Sequence, residues 1–136
     1  MVLTDSKNSF SSFIKSIKEV KELDPKIFAV FLTDSDGMPV YELGLFDMFS
    51  KDGGFSFCSF AAEILSALRG VDSDLTVSPF FTVLAENDEL NFQLFYLTES
   101  IILGIISAKD ANIGLIRMVV QDMLPAIHDS LNEMFE

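Results

Sequence analysis

His128 is the only histidine and Cys58 the only cysteine in 136 residues. Most nucleophilic and general-base chemistry is built on these two residue types, so their scarcity limits what the chain can do. Cys58 falls in an apolar run, "FSFCSFAAEILSAL" (55–68), where a thiol packs as a small hydrophobe. His128 falls near the end of a chain-terminal helical pattern with no partner at ligand spacing. "DSDG" (34–37) opens like a calcium loop. Counting from Asp34, however, the position that requires glycine is Pro39, and the position that requires a bidentate acid is Leu45. The stretch reads better as a hairpin turn. "KDGGFS" (51–56) places glycines before a helix but lacks the Gly-Lys-Ser/Thr ending of a phosphate loop. The many carboxylates fall in no apolar setting that demands a raised pKa. The sequence therefore predicts no catalytic centre, no metal site and no cofactor.

Charge narrows the partners. Nine Lys and Arg stand against 21 Asp and Glu, a net charge of −12, and the basic residues are scattered. Nucleic acid and anionic lipid both need clustered cations, so neither is expected. The single cysteine suits a reducing compartment. "MVLTDSKNSF" has no apolar signal core, Val2 excludes N-myristoylation, and no window suggests a membrane span. These features point to a cytoplasmic protein without direct membrane insertion. The length suits one domain spanning residues 1–136.

The elements follow from periodicity. Phe10, Phe13, Ile14, Ile17 and Val20 recur at helical spacing, with Ser6 or Asn8 as the expected cap and Leu23-Asp24-Pro25 as the stop. "IFAVFL" (27–32) is apolar without alternation, as in a strand covered on both faces. "TDSDG" turns the chain into "MPVYEL" (38–43), where Pro39 marks an edge. The apolar run 55–68 is a helix with Gly70 as its expected C-cap. "FFTVLA" (80–85), "LNFQLFYL" (90–97) and "IILGII" (101–106) form a meander with short turns. A last helix starts near Asp110 or Asn112, with a kink or break expected at Pro125. The order is α-β-β-α-β-β-β-α, a five-stranded antiparallel α+β fold.

The helix of residues 55–68 is too apolar for one sheet to satisfy. Its polar side chains, Ser56, Ser59, Glu63 and Ser66, cover only about a quarter of its circumference. Either the segment Leu45–Phe49 folds over the second flank, or another subunit packs there.

"FAVFLTDSDGMPV" resembles the strand–turn–strand of the roadblock/LC7 family, with its Leu-x-Asp-x-Asp-Gly turn. "LFYLTESIILGIISAKDANIGLIRMVVQDML" (94–124) resembles that family's closing segment, with Asn112, Gly114 and Arg117 in its Asn-x-Gly-x-x-Arg helix start. The long stretch Gly44–Gly54 and Pro125 depart from the family pattern. The resemblance implies a profilin-like sandwich that is not an enzyme. It implies a dimer, with itself or with a second roadblock protein, that binds, scaffolds or regulates a Ras-like small GTPase. The implied interface pairs the middle helices and the strand after them. On these residues it comprises Phe57, Cys58, Phe60, Ala61, Ala62, Ile64, Leu65 and Leu68, with Phe80, Thr82 and Leu84 on the strand. Ser59, Glu63, Asp72 and Asp74 are candidates to face a basic partner. The alternative is a longin/profilin-like or dynein-light-chain-type adaptor in trafficking or motor assembly; the leading helix, Phe10 to Val20, argues against the longin form. A ligand sensor on a similar sandwich would need a polar-lined pocket.

Overall fold

A computed structural model describes residues 2–44, 57–72, 82–98 and 100–135. Its elements, in order, are α1 (Val2–Glu22), β1 (Ile27–Asp34), β2 (Pro39–Gly44), α2 (Phe57–Asp72), β3 (Thr82–Glu86), β4 (Leu90–Tyr96), β5 (Ile101–Ala108) and α3 (Ile113–Phe135). This is the expected order. The strands form one antiparallel sheet, β2-β1-β5-β4-β3, with β1, β5 and β4 inside and β2 and β3 at the edges.

Strand alternation divides the core in two. On one face, Val30 and Leu32 of β1, Leu103 and Ile105 of β5 and Phe95 of β4 pack with Ile17 and Val20 of α1 and Ile116 and Val120 of α3. On the other, Ala29, Phe31, Phe92, Leu94, Ile102 and Ile106 pack with Cys58, Ala61 and Leu65 of α2. β1 and β5 are therefore apolar on both sides, which explains the absence of alternation in "IFAVFL" and "IILGII". Phe92 anchors the α2 side. It stacks on Phe57 with centroids 5.3 Å apart, meets Phe60 edge-on at 5.4 Å and tilts against Phe31 at 5.9 Å.

Two local expectations are corrected and a third is narrowed. α1 begins at Val2, because nothing in residues 2–9 interrupts a helix, so Ser6 and Asn8 lie within it and do not cap it. α2 continues to Asp72, and Gly70 is not in the left-handed conformation that a C-cap needs. α3 runs through Pro125 without a break. The hairpin turn is as expected. Asp34 Oδ1 accepts from the Asp36 and Met38 amides, both at 2.9 Å, and Gly37 takes φ +85°. Asp34 Oδ1 thus serves the turn. The expected glycine-led start of α2, with Phe55 and Ser56, lies outside the described residues, as does Leu45–Phe49.

Candidate functional site: the open flank of the middle helix

α2 lies mainly over β1 and β5. The β4–β3 half of that face carries apolar side chains that α2 covers only in part: Val83, Ala85 and Tyr96. Between helix and sheet runs an apolar groove. Ala61, Ile64, Leu65 and Leu68 line it from the helix, and Val83, Leu94, Tyr96 and Ile102 from the sheet. It ends at β3, whose outer edge pairs with no described strand.

The structure sorts the sequence candidates by the rotation of the helix. Cys58, Ala61 and Leu65 face the chain's own sheet and are 2%, 0% and 3% exposed. Their surface is taken up by the chain's own sheet, which leaves them little to offer a second subunit. Their apolar character is used up inside this chain. The Cys58 thiol has one long contact, Sγ to Glu42 Oε1 at 4.0 Å. Phe57, Phe60, Ile64 and Leu68 form a half-buried flank turned toward the groove, and Ala62 is half-buried on the opposite flank. Ser59 and Glu63 are exposed on the outer surface of α2, beside Ser66 and Ala67.

On β3 the parity differs from expectation. Thr82 and Leu84 stand opposite Phe95 and Gln93, so they project from the α1/α3 face, away from the groove, and both are exposed. The side chains that join α2 are Val83 and Ala85, which sequence reasoning did not single out. Strand alternation was the available signal, but it fixes two sets of side chains without saying which faces in. Phe80 and Asp74 lie outside the described residues, and of Asp72 only the backbone position, at the end of α2, is described.

The roadblock-like helix start resolves into one working residue. Asn112 caps α3 by accepting from the Leu115 amide at 3.0 Å. Gly114 meets little: an added Cβ would touch only Asn112 Oδ1, at 3.6 Å. Arg117 is exposed.

Among the described residues there is no group of three or more potential metal ligands. None of their helices is long and apolar enough to cross a membrane. The groove is lined by carbon, with the Tyr96 hydroxyl as the only polar side-chain group among its lining residues. It offers a surface for apolar side chains and no arrangement for bond making.

No family model matches this chain, and no curated protein does. Solved structures do. MglB of Myxococcus xanthus superposes with a TM-score of 0.77 at 15% identity, over 93% of this chain and 92% of the other. An MglB solved in a tetrameric arrangement gives 0.73 at 10%, over 93% of each chain. A Roadblock/LC7 domain from Streptomyces avermitilis gives 0.63 at 17%, over 81% of this chain and 92% of its own. The chain has the roadblock/LC7 fold. Its structural neighbours include MglB proteins over nearly their whole length.

Proposed function

We propose that this protein is a non-enzymatic, dimeric roadblock-type module that binds and scaffolds or regulates a Ras-like small GTPase. The observation that carries the reading is the apolar groove between α2 and β4–β3, ending at an unpaired edge strand. We take this apolar strip as the seat of a second copy of α2. Its Ile64 and Leu68 would rest on the half-buried Val83 and Tyr96, and the reverse contact follows by two-fold symmetry. Fully burying a side chain of this size contributes about 1.5–3 kcal/mol, and these are already half-buried, so each adds about half that. Several such contacts, counted twice, reach the lower part of the roughly 4–15 kcal/mol that association costs. β3-to-β3 backbone pairing supplies the rest and removes an exposed edge.

The neighbours support self-association, since one MglB was solved as a tetramer. They support the GTPase reading through the roadblock/LC7 fold, whose members act as platforms for such enzymes. Glu63 and Ser59 on the outer surface of α2, together with the acidic candidates Asp72 and Asp74, are the proposed contacts for a basic partner surface. We place the protein in the cytoplasm, as a single domain.

Light scattering at micromolar concentration tests the first half, and a particle of 15.1 kDa would overturn it. Pull-down with GTP- and GDP-loaded small GTPases of the same organism tests the second. Retention that depends on the nucleotide supports regulation. Failure in both states leaves a dimeric adaptor and removes the GTPase.

A further inference from the structure

We propose that Asn91, Gln93 and Ser107 bind one internal water molecule that fastens the start of α3 to the sheet. All three are polar yet lie within the α1/α3 core, 1%, 3% and 0% exposed. Their arrangement follows from register. Asn91 of β4 stands directly opposite Ser107 of β5, and Gln93 is the next residue of β4 on the same face. Directly opposed residues have Cβ atoms about 4.5–5.5 Å apart, and diagonal ones about 7–8 Å, so the three side chains are neighbours on one face of the sheet.

The hydrogen bonds fix which atoms converge. The Asn91 amide nitrogen donates to the carbonyls of Ala108 at 3.0 Å and Lys109 at 3.2 Å. The Gln93 amide nitrogen donates to the carbonyl of Ile113 at 3.3 Å. Only nitrogen can make these bonds, so neither amide can be flipped. The oxygens are then committed to the other side. Asn91 Oδ1, Gln93 Oε1 and Ser107 Oγ are all buried and meet no donor or acceptor among the described residues.

Leaving two amide oxygens and a hydroxyl dry would forfeit the solvation of each with nothing in return. A water molecule matches the set. Its two O–H groups serve the amide oxygens, and a lone pair takes the Ser107 proton. That makes three hydrogen bonds, the usual number for a buried water. The consequence is mechanical. Both amides already hold the β5–α3 connection at Ala108, Lys109 and Ile113, and the water locks the rotamers that let them do so.

A high-resolution crystal structure of the full chain tests this directly. The expected result is a fully occupied oxygen about 2.7–3.2 Å from all three atoms. In solution, water–protein cross-relaxation should appear at the Asn91 and Gln93 side-chain amide protons and vanish in Ser107→Ala. A direct Ser107–Asn91 hydrogen bond with no third atom overturns the proposal. So does a cation, recognised by contacts of about 2.3–2.6 Å. The wild-type measurement decides the question even if Ser107→Ala folds poorly.

Discussion

The ring of Phe31 occupies the space where Gly104 would carry a side chain. The two residues are opposed across β1 and β5, and a Cβ on Gly104 would lie 2.1 Å from Phe31 Cζ and 2.3 Å from Cε1. Phe31 is fully buried and reaches Phe57 and Phe92, so its ring has nowhere to retreat. The glycine is there for room. Gly104→Ala should lower unfolding free energy by about 1–3 kcal/mol in urea titration. In Phe31→Leu the same change should cost less, because the ring is gone, giving a positive double-mutant coupling. Additive losses would show that the ring does not set the requirement.

Ile64→Glu should separate the proposed dimer without unfolding the chain. Ile64 is only half-buried, so a monomer can keep its glutamate wet. In the paired state the carboxylate would be trapped in an apolar groove, at a cost of roughly 2–5 kcal/mol. Sedimentation should show a shift to monomer with unchanged far-UV circular dichroism. Leu65→Asp is the contrasting variant. At 3% exposure it strikes the chain's own core and should unfold it.

Asn112 and Gly114 belong to one motif but should respond in opposite directions. Asn112→Ala removes the cap of α3 and should cost about 0.5–2 kcal/mol. Gly114→Ala introduces no clash at an exposed helical position and should gain up to about 1 kcal/mol. Thermal melts of the two variants check both signs.

Lys26 Nζ and Asp110 Oδ2 are 2.9 Å apart at the surface, tying the start of β1 to the β5–α3 turn. The hydrogen bond and charge of Lys26 hold Asp110 below its ordinary value of 3.8, and Asp110 in turn raises Lys26 above 10.5. A lowered acid stabilises the fold above its unfolded pKa, and that contribution is lost as pH falls through the folded value. A raised base stabilises below its unfolded pKa, and that contribution is lost as pH rises through the folded value. The pair's contribution is therefore flat across neutral pH and fades at both extremes. The melting temperatures of wild type and Asp110→Asn should differ by a small constant from about pH 5 to 9 and converge in acid. The gap should also shrink in high salt, since both groups are exposed.

The legible parts of this fold were those written in local chemistry. Asp34 and Gly37 announce a turn because one needs an acceptor and the other a positive φ, and both needs are met within five residues. Ile27–Leu32 announces a doubly covered strand because no polar residue interrupts it. The central helix showed an excess of apolar surface but not its rotation. The residues Cys58, Ala61 and Leu65 look like their neighbours in type, and only the position of the sheet tells them apart from Phe60, Ile64 and Leu68. Strand alternation likewise left open which face Thr82 and Leu84 would take. Gly70 lacked a decisive local signal, since a glycine can end a helix or lie within it. Asn91 and Gln93 were passed over because their burial depends on carbonyls 17 to 20 residues away.

The two margins of the sheet are built differently. β2 opens with Pro39, which has no amide hydrogen to give, and its register with β1 slips between Leu32 and Thr33. β3 has neither obstacle: its five residues pair with β4 in unbroken register. If two chains join along β3, the composite ribbon of ten strands, twice the five of one chain, terminates at a proline-bearing border on each side. Such a ribbon cannot recruit a third member by the same contact. A two-fold contact of this kind uses up both β3 edges and so closes at a pair, while Pro39 withholds an amide hydrogen from anything that would pair along the outer borders.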